Sequence, residues 1–229
     1  MRYLPLLRSA AELIALVNEL GFLPFFRSTV PGFSVEEATP EEYWFQKDVE
    51  GPWEWKGPAI SEGRCLYGKL FQGKAGWVSE DWIPDLVNYR RQGMEFDERY
   101  DSGASSFYER RVLKTLAETP GGMLSRDLKR LCGFEGKEGK GFDPLIARLQ
   151  MQTDVCVRDF EYALDRHGRP YGWGLARYST PEDVFGEDYV LSAMVDRSPE
   201  ESYARMFRHL RGLFPEADDR QLDRLIGMK

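Results

Sequence analysis

Two glutamines one residue apart, Gln150 and Gln152 in Arg148-Leu149-Gln150-Met151-Gln152-Thr153, are the most pointed polar feature of this 229-residue chain. If the backbone there is extended, side chains two apart share a face, and two carboxamides could together grip a base edge or position a water. If it is helical they point nearly opposite ways, and both then read as solvent-facing residues at a helix end. The second candidate set is cationic: Arg126, Lys129 and Arg130, then Lys137 and Lys140, then Arg148, then Arg166, His167 and Arg169. Contacts to phosphate oxygens need side chains of this kind. Ordinary solvated surfaces carry them too.

Other groups point to chemistry less sharply. His167 sits alone at a turn tip, where a histidine meets solvent or phosphate more readily than it acts as a base or ligand. The loop Gly136-Lys137-Glu138-Gly139-Lys140-Gly141 lacks both the spacing of a phosphate loop and a strand before it. Acidic pairs such as Glu36-Glu37, Glu41-Glu42 and Asp218-Asp219 are adjacent in sequence, so they do not share one face as a hydrolase dyad would. Trp44, Trp53, Trp55, Trp77, Trp82 and Trp173 suit either a stacking platform for an unpaired base or a core. Cys65, Cys132 and Cys156 form no Cys-x-x-Cys pair and have only His167 and His209 to join them, so neither a metal site nor a disulfide frame is expected, and no cofactor.

The elements that must position these residues follow from periodicity and punctuation. Ser9 and Glu12 form a capping box ahead of Leu13, Leu16, Val17 and Leu20, and Gly21 ends that helix. From Phe22 to Gly63 five prolines cut the chain, which predicts an irregular aromatic layer. Cys65 to Phe71 and Lys74 to Val78 flank Gln72-Gly73 as a hairpin, and a short helix follows through Tyr89, Arg90 and Arg91 to Gly93. Tyr100 to Ser106, small and polar, reads as a hinge. Beyond it come a helix through Phe107, Val112, Leu113 and Leu116, a short helix opened by Ser125, and a third with Asp143 as cap and Pro144 as first residue. Two strands, Val155 to Tyr162 and Tyr171 to Tyr178, surround a cationic turn. Ser198 to Glu201 caps another helix, and Asp218 to Ile226 forms the last.

Helix, helix, helix, strand, basic-tipped turn, strand is the order of a winged helix, in which two helices brace a third against the major groove and the hairpin tip reaches the phosphates beside it. The expected fold is therefore α+β: a winged helix-turn-helix module at 105–180, packed with an aromatic-rich N-terminal α+β layer at 1–104 and a C-terminal helical extension at 181–229.

Composition bounds the rest. With 42% hydrophobic and 14% aromatic residues the chain belongs with globular proteins. The net charge of −7 argues against a protein that coats nucleic acid indiscriminately. Residues 105–180 carry thirteen Lys and Arg against ten Asp and Glu, a net +3 that leaves −10 for the remainder. A local anion-binding face on an acidic body would have this pattern. The longest apolar run, Leu13 to Val17, is far short of the roughly 20 residues a membrane helix needs, so no membrane partner and a cytoplasmic location are expected.

Several segments also resemble a known family. Ala75-Gly76-Trp77-Val78-Ser79-Glu80-Asp81-Trp82-Ile83-Pro84 with Tyr89-Arg90-Arg91, then Leu124-Ser125-Arg126-Asp127-Leu128-Lys129, Leu149-Gln150-Met151-Gln152-Thr153, Asp159-Phe160-Glu161-Tyr162 and Tyr171-Gly172-Trp173-Gly174-Leu175-Ala176-Arg177-Tyr178 resemble the winged-helix proteins grouped with the AlkZ/YcaQ-like DNA glycosylases, and especially the shorter AlkZ-related proteins. Those glycosylases use a Gln-x-Gln motif to excise alkylated or cross-linked bases, so the resemblance implies double-stranded DNA as partner and places the motif on Gln150 and Gln152. In the glycosylases the motif lies earlier and tandem winged helices with a β-barrel build the cleft, whereas this chain has room for one winged helix. Three readings follow: a non-catalytic DNA-binding relative, an active glycosylase, or an interaction scaffold that binds no nucleic acid.

Overall fold

The computed structural model describes residues 4–45, 49–135, 141–168 and 170–228, without the side chains at 170, 171 and 173. The fold is mixed α+β, with many short helices around two small antiparallel sheets. In the first layer α1 (Ala10–Leu20) is started by Ser9, whose hydroxyl accepts from the Glu12 N–H, and it buries Leu13, Leu16, Val17 and Leu20. β1 (Phe22–Pro24), β2 (Cys65–Phe71) and β3 (Lys74–Ser79) form a sheet in the order β1-β3-β2. The β2–β3 turn is closed by Gln72 and Gly73 at φ 51° and 75°, the left-handed pair that a two-residue hairpin needs.

The stretch expected to be irregular is more regular than its prolines suggest. It holds α2 (Val35–Ala38) and a ten-residue helix, α3 (Pro52–Ser61). Pro52 opens α3, where a missing N–H costs nothing, and the Glu54 carboxylate accepts from the Gly51 N–H at 2.8 Å. Pro58 lies inside and removes one helical bond. Burial of Trp55, Ala59 and Ile60 outweighs that loss.

A 3-10 turn (Glu80–Trp82) leads into α4 (Ile83–Arg91), closed by Gln92 and Gly93 at positive φ. α5 (Phe96–Asp101) then fills the start of the segment expected to be a hinge, and its Arg99 is buried. Next come α6 (Phe107–Ala117), β4 (Met123–Leu124), α7 (Ser125–Leu131), α8 (Phe142–Met151), β5 (Cys156–Leu164) and β6 (Pro170–Ser179), with strand order β4-β6-β5. α8 begins a residue earlier than its expected cap. Gly122, at φ 78°, lets the chain enter β4, since a Cβ there would lie 2.4 Å from the Tyr178 carbonyl oxygen.

Four helices, not the two expected, follow: α9 (Pro181–Phe185), α10 (Glu187–Asp196), α11 (Pro199–Leu213) and α12 (Asp219–Ile226). Gly186, at φ 91°, separates the first two. Asn88 joins α4 to this group, its Nδ2 lying 3.2 Å from the Ala193 O, 3.0 Å from the Arg197 O and 2.9 Å from the Ser202 Oγ. Among the described residues no helix is long and apolar enough to cross a membrane.

Among the described residues two apolar clusters hold the molecule. The larger joins the N-terminal layer (Phe22, Phe25, Trp55, Trp77) to the C-terminal helices (Met206, Leu210, Leu222, Ile226) and to the base of the β5–β6 hairpin (Cys156, Val157). The smaller lies within the three-helix segment (Val112, Leu116, Leu128, Phe142, Ile146, Leu149), and Tyr178 packs against both. Trp55 and Trp77 are core, while Trp44 and Trp53 surround Phe25 and Trp82 stacks on His209. The Trp173 side chain lies outside the described residues.

Candidate nucleic-acid interface

The backbone at the two glutamines is helical, but they are not the solvent-facing pair expected of a helix end, because packing carries Gln150 and the Gln152 Oε1 inward. Gln150 belongs to α8, and Gln152 follows it with helical torsions, φ −75° and ψ −5°. Their side chains therefore leave the backbone roughly 200° apart around the axis. Gln150 is only 2% exposed and its carboxamide is committed. Oε1 accepts from the Lys69 N–H at 3.0 Å, on the irregular edge strand β2, and Nε2 donates to the Ile146 O at 3.2 Å. The facing residue is Gly68, and a Cβ there would stand 3.0 Å from that Oε1. The buried Oε1 of Gln152 has no hydrogen-bond partner among the described residues.

The residues between and just after the glutamines meet the arginines of α4. Arg90 donates from Nε to the Ile226 O at 3.0 Å, from Nη1 to the Met151 O at 3.0 Å and from Nη2 to the Leu70 O at 2.7 Å. Burial pulls its pKa down to about 9, so the guanidinium keeps its charge at neutral pH. Its acceptors at the ends of α8 and α12 lie at the negative poles of those helix dipoles, which offsets part of the desolvation. Arg91 donates to the Thr153 O at 2.7 Å and pairs with Asp154 at 3.1 Å and with Glu182 at 2.5 Å. Arg99 grips both oxygens of Asp154, at 3.1 and 2.5 Å. Burial pushes the Asp154 carboxyl upward against these two guanidiniums, while Glu182 and Asp154 hold Arg91 above its ordinary value against the pull of burial.

Arg90, Arg91 and Arg99 with Gln150, Met151, Thr153 and Asp154 thus form one latch joining β2, α4, α5, α8 and α12. The sequence carries a signal for it that the cationic reading passed over. Arg90 and Arg91 end a short helix that opens on apolar Ile83, Leu86 and Val87, and in the fold every position of that helix but Tyr89 is buried, so both charges are carried inward with it.

The cations are distributed unevenly. Arg126 and Arg130 are exposed one turn apart on α7, with Asp127 lying 3.7 and 3.2 Å from them. Lys129 Nζ lies 6.0 Å from the Phe142 ring centroid. Arg148 is held by Glu109 of α6 at 2.9 Å, and Glu109 also accepts the Ser106 N–H. The solvent face of α8 therefore offers Asp143, Pro144 and one engaged arginine. Arg166 and His167 are exposed together at the hairpin tip, where Arg166 Nε lies 3.0 Å from His167 Nε2. Lys137, Lys140 and Arg169 lie outside the described residues. The three cysteines are buried and apart, and no group of three or more His, Cys, Asp or Glu among the described residues is placed to hold a metal ion.

No curated protein and no solved structure matches the chain. The family described as AlkZ related matches residues 7–227, taking in the first layer, the three-helix segment with its hairpin, both sides of the latch and the C-terminal helices. The chain belongs to the AlkZ-related family.

Proposed function

We propose that residues 105–180 are a winged helix-turn-helix and that this chain docks on double-stranded DNA through it, as a glycosylase-like relative. One observation carries the reading. α6, β4, α7, α8, β5 and β6 follow in the order helix, strand, helix, helix, strand, strand, with β4 on the outer side of β6 and an exposed Arg166-His167 pair at the hairpin tip. Arg126, Arg130 and Arg166 supply phosphate contacts. The face of α8, with Asp143 and a guanidinium already held by Glu109, offers little to read base edges. Binding in this reading follows phosphates and duplex shape rather than sequence. Gln150 serves as part of the latch.

Fluorescence anisotropy with a duplex over a salt series tests this. Removing one cation that neutralises a phosphate should flatten the slope of log K against log salt by about 0.9. Arg126→Ala, Arg130→Ala and Arg166→Ala should each do so. No binding to any duplex at low salt would overturn the reading and leave the interaction scaffold in its place.

The unpaired Oε1 of Gln152 supports a second reading, in which that carboxamide orients water for excision of an alkylated base. Release of free base from alkylated DNA, abolished in Gln152→Ala, would establish it. Equal release by the variant would remove it.

A further inference from the structure

A cavity of about 260 Å³ opens between α3 and the β5–β6 hairpin. That is just below the usual size of a small-molecule site and suits a single ring system. Its walls are aromatic: Tyr43, Phe45 and Trp53 come from the N-terminal layer and Tyr162 from the hairpin, with Glu54 and Lys56 of α3 supplying polar groups. Phe45 is 81% exposed, a large apolar ring with nothing covering it among the described residues.

Two glycines of β6 shape the hairpin side. A Cβ at Gly174 would stand 2.8 Å from the Tyr162 ring, so this glycine lets the tyrosine lie flat on the strand. At Gly172 a Cβ would meet nothing within 4 Å, and the strand leaves that space open. Lys56 is 6% exposed, yet no carboxylate among the described residues forms an ion pair with it. Its ammonium rests on the Phe160 ring at 4.1 Å and near the Trp53 ring at 5.7 Å. Burial lowers its pKa and the charge of Glu54 opposes that. Its N–H donors have no acceptor among the described residues.

We propose that this cavity receives an unpaired nucleobase, stacked between the Phe45 and Tyr162 rings with Trp53 behind them, with Lys56 donating to a ring nitrogen or carbonyl and the Glu54 carboxylate accepting from an amino or imino N–H. Every base has a π-face, so stacking tolerates sequence while the two polar groups set the edge presented. The hairpin links the cavity to the cationic tip: Tyr162 and Arg166 are four residues apart, roughly 13 Å along an extended chain. A backbone held at the tip therefore runs beside the cavity mouth. The inference rests on the DNA reading above and adds a site separate from the face of α8.

The test uses the full chain and two probes: a single-stranded oligonucleotide with one 2-aminopurine, and the same strand fully paired. The single strand should bind with a change in 2-aminopurine fluorescence. Phe45→Ala and Tyr162→Ala should weaken that binding by about 5- to 160-fold, the range for one stacked base, and leave the paired duplex within about 2-fold. Phe45 is exposed, so its truncation leaves folding intact and decides the matter even if Tyr162→Ala unfolds. Wild-type single-strand affinity in Phe45→Ala, and in Tyr162→Ala if it folds, overturns the cavity assignment while duplex docking stands. Loss of duplex binding with single-strand binding retained would sink the winged-helix docking and leave the cavity.

Discussion

Replacing Gln150 by alanine separates a latch from a water-positioning group. The Lys69 N–H, 3.0 Å from Oε1, loses its acceptor, and a donor left unmade away from water costs about 1–3 kcal/mol. Truncation also removes a methylene and a carboxamide from a site that is 2% exposed, which adds about 1 kcal/mol for lost burial and residual void. The bond to the Ile146 O is local to α8, and its loss matters less. The sum is about 2–4 kcal/mol, or a fall in Tm of about 4–16 °C for a chain of this length. Thermal and urea melts followed by circular dichroism measure it. A companion variant sharpens the test. Gly68→Ala drives a Cβ to 3.0 Å from Oε1, and with alanine at 150 that oxygen is gone. The double variant should therefore be more stable than the sum of the two singles predicts, by about 1 kcal/mol. Well below the melt, duplex affinity of Gln150→Ala should match the wild type. A Gln150→Ala protein within about 0.5 kcal/mol of wild type, additive with Gly68→Ala, would refute this account, because the carboxamide would then face water.

Asp154→Ala leaves Arg91 and Arg99 buried without their shared carboxylate, and should cost about 3–5 kcal/mol in urea denaturation; a change under about 1 kcal/mol would mean the network is open to solvent. Gly122→Ala sets a Cβ 2.4 Å from the Tyr178 carbonyl at φ 78°, so a loss of about 2 kcal/mol or more is expected, with faster hydrogen exchange at β4. Burial pushes the Cys65 thiol from its ordinary 9.0 up to about 12, so at pH 8 about one native thiol in ten thousand is ionised and alkylation should wait for unfolding. Because the folded state holds that proton longer than the unfolded chain, the thiol's contribution to stability is full below pH 9 and is lost as pH climbs toward 12. Rapid alkylation of Cys65 in the native protein at pH 8 would contradict its burial.

What lies close together in the chain was legible before any coordinates. The caps at Ser9 and Ser198 start helices because each serine and the N–H it accepts are three residues apart; at Ser198 the box is reciprocal, whereas Glu12 accepts the Arg8 N–H in place of Ser9's. Gln72-Gly73 closes its hairpin with its own torsions. The order of three helices and a hairpin from Phe107 to Ser179 follows from apolar periodicity and turn residues alone. Where local signals conflict, the reading fails. Pro52 and Pro58 argue against α3, but the burial of Trp55 and Ile60 outweighs them, and that depends on what α3 packs against.

The roles of the polar residues depended on distance in the chain. Gln150 meets Lys69 across 81 positions, and Arg90 reaches Met151 across 61 and Ile226 across 136. No pattern of period 2 or 3.6 encodes such pairs, because they exist only once the elements are packed. Sequence alone settled which residue types could meet a polyanion and which helices and strands would carry them. Tertiary structure decided that Arg90, Arg91 and Gln150 turn inward to hold the layers together, that Glu109 takes up Arg148, and that the Phe160 ring of a distant strand covers Lys56 beside its own helix's Trp53. A side chain's chemistry belongs to its residue, but whether that chemistry is spent on the protein itself or left for a ligand is set by what folding brings beside it.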